Sequence, residues 1–303
     1  MKTAAQFAAI LVRPEIRAIN AYHVAPATGM IKLDAMENPY RLPEPLRAAL
    51  GRELAEVAIN RYPDASGAAV KAALRATLGI DERFALILGN GSDELIDILS
   101  VACNVPGATL LAPVPGFVMY EMSARLRGLR FVGVPLTPEF ELDEVAMLAA
   151  IEQHRPALTY IAYPNNPTAN LFDDAVIDRI VATIGHQQGL VVFDEAYQPF
   201  SSRTWMQRMA AHEHVLVMRT LSKFGLAGVR LGYLCGAAAL VDEIDKTSEV
   251  GLYAPDYRRA LIDVARGAAP GTLDSIFDDL NAKWAAARAI SGLLPCPAGS
   301  GRL

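Results

Sequence analysis

The 303-residue chain has only three cysteines, Cys103, Cys235 and Cys296, an odd number with no C-x-x-C pair. That scarcity excludes a disulfide framework and a thiolate zinc site, and makes a reducing cytoplasm the expected compartment. An excess of basic charge is also missing. Twenty-eight Lys and Arg against 33 Asp and Glu leave a net charge of −5, which offers no electrostatic footprint for nucleic acid or an anionic membrane surface. No stretch reaches the roughly 18 uninterrupted apolar residues of a membrane helix, because Gly, Pro or a charge breaks every candidate. The start, Lys2 and the run 4–12, lacks a small-residue cleavage site; Arg13, Glu15 and Arg17 follow instead, and it reads as a helix or an arm. The five histidines form no helical metal pair, and His212-x-His214 beside Glu213 reads as exposed loop or helix, so no metal centre is expected.

What the chain does have is apolar surface to bury. Apolar residues make up 52% and charged residues 20%, the balance of an enzyme-sized globular protein. Residues 1–45 carry Pro14, Pro26, Pro39, Pro43 and Pro45 with little periodicity, which predicts an irregular arm leading into the body. From 46 to 245, apolar runs at 85–88, 109–112, 130–134, 159–163, 190–193, 215–218 and 231–234 alternate with helical patterns at 46–54, 68–78, 93–101, 145–153 and 174–186. The alternation predicts an α/β domain around a mainly parallel sheet covered on both faces. Beyond 246 the pattern thins to one helix, 274–290, and a Pro/Gly/Ser-rich end, 295–301. The expected division is therefore an arm (1–45), a large domain (46–245) and an atypical tail (246–303).

In such sheets ligands gather at the carboxyl ends of the strands, so the residues after each apolar run are the candidates. The run 190–193 leads into Asp194-Glu195-Ala196-Tyr197, a carboxylate at a strand tip with a phenol three residues on. Phosphate-loop ATPases place magnesium carboxylates similarly, but no G-x-x-x-x-G-K-[ST] accompanies this one; the plain alternative for Asp194 is a helix cap. Gly89-Asn90-Gly91-Ser92-Asp93-Glu94 opens a helix whose free N–H groups suit a phosphate, although Ser92 or Asp93 serves equally as an N-cap. Thr220-Leu221-Ser222-Lys223 has Gly225, Gly228 and Arg230 downstream, a setting for a Schiff-base lysine beside an anion clamp, or for an ordinary surface lysine. Tyr163-Pro164-Asn165-Asn166-Pro167-Thr168 forms a turn at another strand end.

Taken in order with Leu33-Asp34-Ala35-Met36-Glu37-Asn38-Pro39-Tyr40, Arg61-Tyr62-Pro63-Asp64 and Pro115-Gly116-Phe117-Val118-Met119-Tyr120, these motifs resemble the fold-type I pyridoxal-phosphate aminotransferases over residues 13–246. Within them the chain is similar to the histidinol-phosphate aminotransferases. The resemblance implies a three-layer large domain followed by a small domain, and amino-group transfer between L-histidinol phosphate and 2-oxoglutarate, yielding glutamate, in histidine biosynthesis. It implies that Lys223 binds pyridoxal 5'-phosphate covalently and shuttles the substrate proton, and that Asp194 pairs with the ring nitrogen. Tyr197 and Asn166 would bond the ring oxygen, and Phe117 would stack on the ring. Gly91, Ser92, Asp93, Thr220, Ser222 and Arg230 would hold the phosphate. Tyr62 matches a residue that reaches a neighbouring subunit's site, which implies a homodimer; Tyr22, Asn38 and Tyr62 fall on the substrate side.

The chain also departs from the pattern. Arg230 follows Lys223 by seven positions where many members have eight, a difference Gly225 and Gly228 can absorb. After 246 the family's Pro-Tyr-Asn segment, long helix and substrate-clamping arginine are not recognisable, so the expectation is a truncated or frameshifted chain with an incomplete small domain. None of Arg258, Arg259, Arg266, Arg288 and Arg302 is assigned the clamp. The competing readings are an aromatic-amino-acid aminotransferase, a threonine-phosphate decarboxylase, or a catalytically impaired remnant.

Overall fold

In the computed structural model, residues 2–19, 28–30, 35–58, 60–61, 64 and 66–248 are described. All seven apolar runs become strands: β1 Phe84–Asn90, β2 Thr109–Val114, β3 Arg130–Pro135, β4 Leu158–Ala162, β5 Leu190–Asp194, β6 Val215–Thr220 and β7 Leu231–Ala237. They form one sheet in the order β1-β7-β6-β5-β4-β2-β3. Strands β2 to β6 pair in parallel, while β7 runs antiparallel to both β6 and β1. Two reversals restore the original direction, so β1 points the same way as β2 to β6. The carboxyl ends of six strands therefore share one edge of the sheet, which is where the motifs lie.

Every residue of β4 is buried, so its sheet is covered on both faces. The cover consists of α4 Ala68–Leu78, α5 Ser92–Ala102, α6 Val118–Arg127, α7 Glu144–His154, α8 Asp174–His186 and α9 Ala238–Asp245. Helix α5 packs beside α6 and α9, and α7 packs beside α8. Helix α6 has no apolar periodicity for a physical reason. Its inward face is Tyr120, Ser123 and Ala124, two of them polar, so no apolar stripe marks it. It ends at Gly128, which adopts φ 86° as a left-handed C-cap.

Part of the expected arm is helical. Residues Ala4–Leu11 form helix α1, whose start is a capping box: Thr3 Oγ1 accepts from Gln6 N–H at 3.3 Å and Gln6 Oε1 accepts from Thr3 N–H at 2.8 Å. None of its residues is buried. Helix α2, Pro14–Arg17, begins at a proline, which the first helical turn tolerates because it needs no N–H there. Helix α3, Glu44–Ala55, likewise holds Pro45 in its first turn and so runs across the expected boundary at 45. Tyr22, Tyr62, Cys296, the expected helix 274–290 and the five tail arginines lie outside the described residues. No helix among the described residues is long and apolar enough to cross a membrane.

Candidate active site

A cavity of about 530 Å³ lies at the carboxyl edge of the sheet. Its wall brings together Ser92 and Asp93 from the start of α5, Phe117 from the start of α6, and Asn166 from the turn after β4. It also brings Asp194 and Tyr197 from the end of β5, and Thr220, Ser222, Lys223 and Arg230 from the β6–β7 connection. These residues are separated by up to 138 positions in sequence, Ser92 to Arg230, and converge because their strands end together.

Asp194 is the last residue of β5 and is only 4% exposed. Its Oδ2 accepts the Tyr120 hydroxyl at 2.7 Å and its Oδ1 accepts the Ala196 N–H at 3.0 Å. Burial pushes its pKa up from 3.8 to about 6, against the opposing pull of those two hydrogen bonds and of the Lys223 charge. Glu195, next in the chain, points away into a separate network. Its carboxylate accepts from Trp205 N–H at 2.5 Å, from Thr204 Oγ1 at 2.9 Å and from Arg219 Nε at 2.9 Å. That buried pair pins the loop after β5 to β6, and Trp205 stacks on Phe193 of β5 with centroids 4.0 Å apart. The strand tip that carries Asp194 is thereby held from both sides.

Lys223 follows β6 in a tight irregular turn, Ser222–Leu226, in which Gly225 adopts φ 120°. A Cβ at Gly225 would stand 2.8 Å from Asn38 Nδ2, so Asn38 packs against this turn. Of the two glycines expected to absorb the shortened spacing, Gly225 has a positive φ and Gly228 does not. Arg230 itself takes the left-handed conformation at φ 53°. Lys223 Nζ donates to the Ala35 carbonyl at 3.2 Å and lies 5.4 Å from the Tyr197 ring centre. Burial lowers its pKa; the charges of Asp93, Asp194 and Glu37 oppose that, and Arg230 reinforces it.

At the phosphate-like corner, Gly91 adopts φ 82° and caps α5. A Cβ there would meet Arg230 Nη2 at 2.8 Å, so the missing side chain is what lets the guanidinium approach the helix start. Arg230 Nη2 donates to the Asn90 carbonyl at 3.0 Å and lies 3.5 Å from Asp93 Oδ2. The Asp93 side chain is thus a counter-ion of Arg230, and only its backbone N–H suits an anion. Thr220 Oγ1 and Ser222 Oγ are 2.9 Å apart. The Tyr197 hydroxyl meets Met36 Sδ at 3.4 Å, and burial beside Asp194 raises its pKa.

Tyr120 was not singled out by sequence reasoning, although it closes the Pro115 to Tyr120 motif; its signal was a hydroxyl at helical spacing from Phe117. The Ala35–Glu37 part of the Leu33–Tyr40 motif covers the lysine, a placement the motif alone does not give, and the Glu195–Arg219 pair has no sequence signal of its own.

Comparison with known proteins gives the family and the fold. The family model Aminotransferase class I and II matches residues 28–269. The histidinol-phosphate aminotransferase of Methylibium petroleiphilum is 66% identical over 235 residues, 78% of this chain and 63% of the relative. That of Paracidovorax citrulli is 62% identical over 243 residues, 78% of this chain and 66% of the relative. The chain therefore spans just under two thirds of these relatives' length. The solved histidinol-phosphate aminotransferase of Sinorhizobium meliloti, in complex with pyridoxal-5'-phosphate, superimposes with a TM-score of 0.78 at 23% identity, covering 95% of this chain and 80% of that one. At that identity the likeness speaks for the fold.

Proposed function

The chain belongs to the class I and II aminotransferase family, and from that membership we propose that its cavity binds pyridoxal 5'-phosphate and that its reaction moves an amino group from histidinol phosphate to 2-oxoglutarate. The observation that carries the reading is Asp194. Among the described residues no salt bridge neutralises this buried carboxylate, yet it faces a cavity that also holds an amine, a phenol and an anion corner. An isolated buried charge is costly, and a cationic heterocycle seated in the cavity relieves that cost. The gap left at Gly91 for Arg230, and the paired hydroxyls of Thr220 and Ser222, fit a phosphate.

When bound, pyridoxal phosphate supplies the electron sink for the pair released at the substrate's amino-bearing carbon. Asp194 would hold the ring nitrogen's proton, and Tyr197 and Asn166 would bond the ring oxygen. Phe117 would cover one face. The N–H groups at the start of α5 would hold the phosphate with Thr220, Ser222 and Arg230. Lys223 would anchor the group and hold the proton taken from the substrate's amino-bearing carbon. Its lowered pKa leaves more of it as free amine than an exposed lysine offers. Histidinol phosphate as donor draws its support from the names of relatives 62–66% identical to this chain. The same reading carries a homodimer and a cytoplasmic location, and the division into arm, large domain and tail.

The test is borohydride reduction of the purified protein after loading with pyridoxal phosphate, followed by peptide mapping. The label is expected on Lys223; label on Lys71 or Lys246 overturns the assignment. Adding histidinol phosphate to the loaded protein should change its absorption spectrum. A response to aromatic amino acids alone would move the substrate reading to that subgroup.

A further inference from the structure

Tyr120 sits on α6, three residues after Phe117, and is 2% exposed. Its ring lies flat on Tyr160 of β4, centroids 4.4 Å apart and planes 13° from parallel, and meets the Phe117 ring edge-on at 5.6 Å. Clamped on two sides, the ring has one place to put its hydroxyl, and that place is Asp194 Oδ2 at 2.7 Å. The hydroxyl of Tyr160, its stacking partner, is buried with no hydrogen-bond partner among the described residues. Two phenols in contact thus differ in one respect: only Tyr120 touches the carboxylate.

We propose that Tyr120 is the positioning residue for Asp194, fixing the rotamer of its carboxylate and donating a hydrogen bond to its charged form so that the acid can pair with a protonated ring in the cavity. The proposal rests on the pyridoxal-phosphate reading. Asp194 has two strong donors, Tyr120 and the Ala196 N–H, one on each oxygen. Together they forbid rotation about the carboxylate axis and leave the remaining lone pairs for a ligand. Of the influences that favour the ionised acid, the Tyr120 hydrogen bond is the largest. The other groups facing Asp194 are Asp93 from the start of α5, which disfavours its charge, and Lys223 from the turn after β6, which favours it. Tyr160 and Tyr197 stay neutral, each with its pKa raised by burial. Removing the Tyr120 hydroxyl takes away a bond made to the anion, so Asp194 then holds its proton to higher pH.

The experiment titrates the purified chain with pyridoxal phosphate over a range of pH and reads affinity, with circular dichroism as the folding check. The parental affinity should fall as pH drops through about 6, where Asp194 takes up its proton. Tyr120→Phe should move that midpoint upward by about one pH unit, the worth of one hydrogen bond to a charged group. Tyr160→Phe, which deletes a hydroxyl without a partner, should leave the midpoint in place. In an Asp194→Asn background, Tyr120→Phe should add no further loss. An unmoved midpoint in Tyr120→Phe, or the same loss in both backgrounds, overturns the proposal. If Tyr120→Phe does not fold, a ring-fluorinated tyrosine at 120, a stronger donor of similar shape, should lower the midpoint, and no change refutes the idea. Should the parental chain bind no pyridoxal phosphate at any pH, the reading of the site has failed. Tyr120 is then judged on the cofactor-free protein, where a carbon-13 label on the Asp194 carboxyl must titrate at higher pH in Tyr120→Phe.

Discussion

Asp194→Asn should make the cofactor-free protein more stable while weakening its hold on pyridoxal phosphate. Asp194 is buried, and its pKa stands at about 6 rather than 3.8. A carboxyl whose folded pKa is raised holds its proton longer in the native state than in the unfolded chain. Stability therefore falls as pH rises from about 3.8 to about 6, and the whole cost is present above that window. The separation between the two values corresponds to about 3 kcal/mol at neutral pH. Asparagine keeps the shape and escapes the charge. Its Oδ1 can still accept from Ala196 and its Nδ2 can donate to the Tyr120 oxygen, while the Tyr120 O–H loses its acceptor, which offsets part of the gain. The expected gain is about 1–3 kcal/mol at pH 8, shrinking towards zero near pH 4, because the two proteins then carry the same charge at this position. Urea unfolding of both proteins at a series of pH values, without pyridoxal phosphate, reads the difference directly, and groups common to both cancel. A variant no more stable than the parent at pH 8, or a difference that does not vary with pH, refutes the argument that the burial cost of the Asp194 charge exceeds what its hydrogen bonds and Lys223 return. In the presence of pyridoxal phosphate the order should reverse, since only the parent gains the binding energy of the ionised acid.

Glu195→Ala should destabilise the fold by about 3–5 kcal/mol, because it leaves Arg219, whose side chain is 11% exposed, buried without its partner. Urea unfolding checks this, and a loss below about 1 kcal/mol would show the pair to be screened by solvent. Gly91→Ala should cost about 1–3 kcal/mol from its glycine-only backbone, φ 82° and ψ −178°, and push Arg230 away from the helix start, with pyridoxal-phosphate affinity falling by about tenfold; unchanged affinity would detach Gly91 from the anion corner. Tyr197→Phe should leave stability within about 0.5 kcal/mol, since among the described residues its hydroxyl meets only the Met36 sulfur at 3.4 Å, and should lower the half-reaction rate far less than Asp194→Ala does. Single-turnover rates for the two variants decide it.

How much of this was legible in the chain depends on the range over which each signal acts. Strands β1, β2 and β4 to β7 were readable because burial on both faces demands apolar runs, as at Leu158–Ala162, and a run is a local property; β3, at the end of the sheet, is largely exposed and was readable from its short run alone. Asp194 was readable for the same reason, as the first carboxylate after such a run. Its hydrogen-bond partner was not, because Tyr120 lies 74 positions away on a helix with a polar inward face. The Ala35 carbonyl that receives the Lys223 amine lies 188 positions away, and no spacing rule spans that distance. The opposite fates of Asp194 and Glu195 stand between these cases. Alternation along a strand places neighbouring side chains on opposite faces, so of two adjacent carboxylates at a strand end only one can enter the cavity. The other must find a cation or be excluded from the core. A chain with Arg219 in the adjacent strand, two positions past Val217 where it pairs with Phe193, satisfies that demand. The pairing register, rather than the sequence pattern, is what turns one carboxylate of the pair into a structural anchor and leaves the other for chemistry.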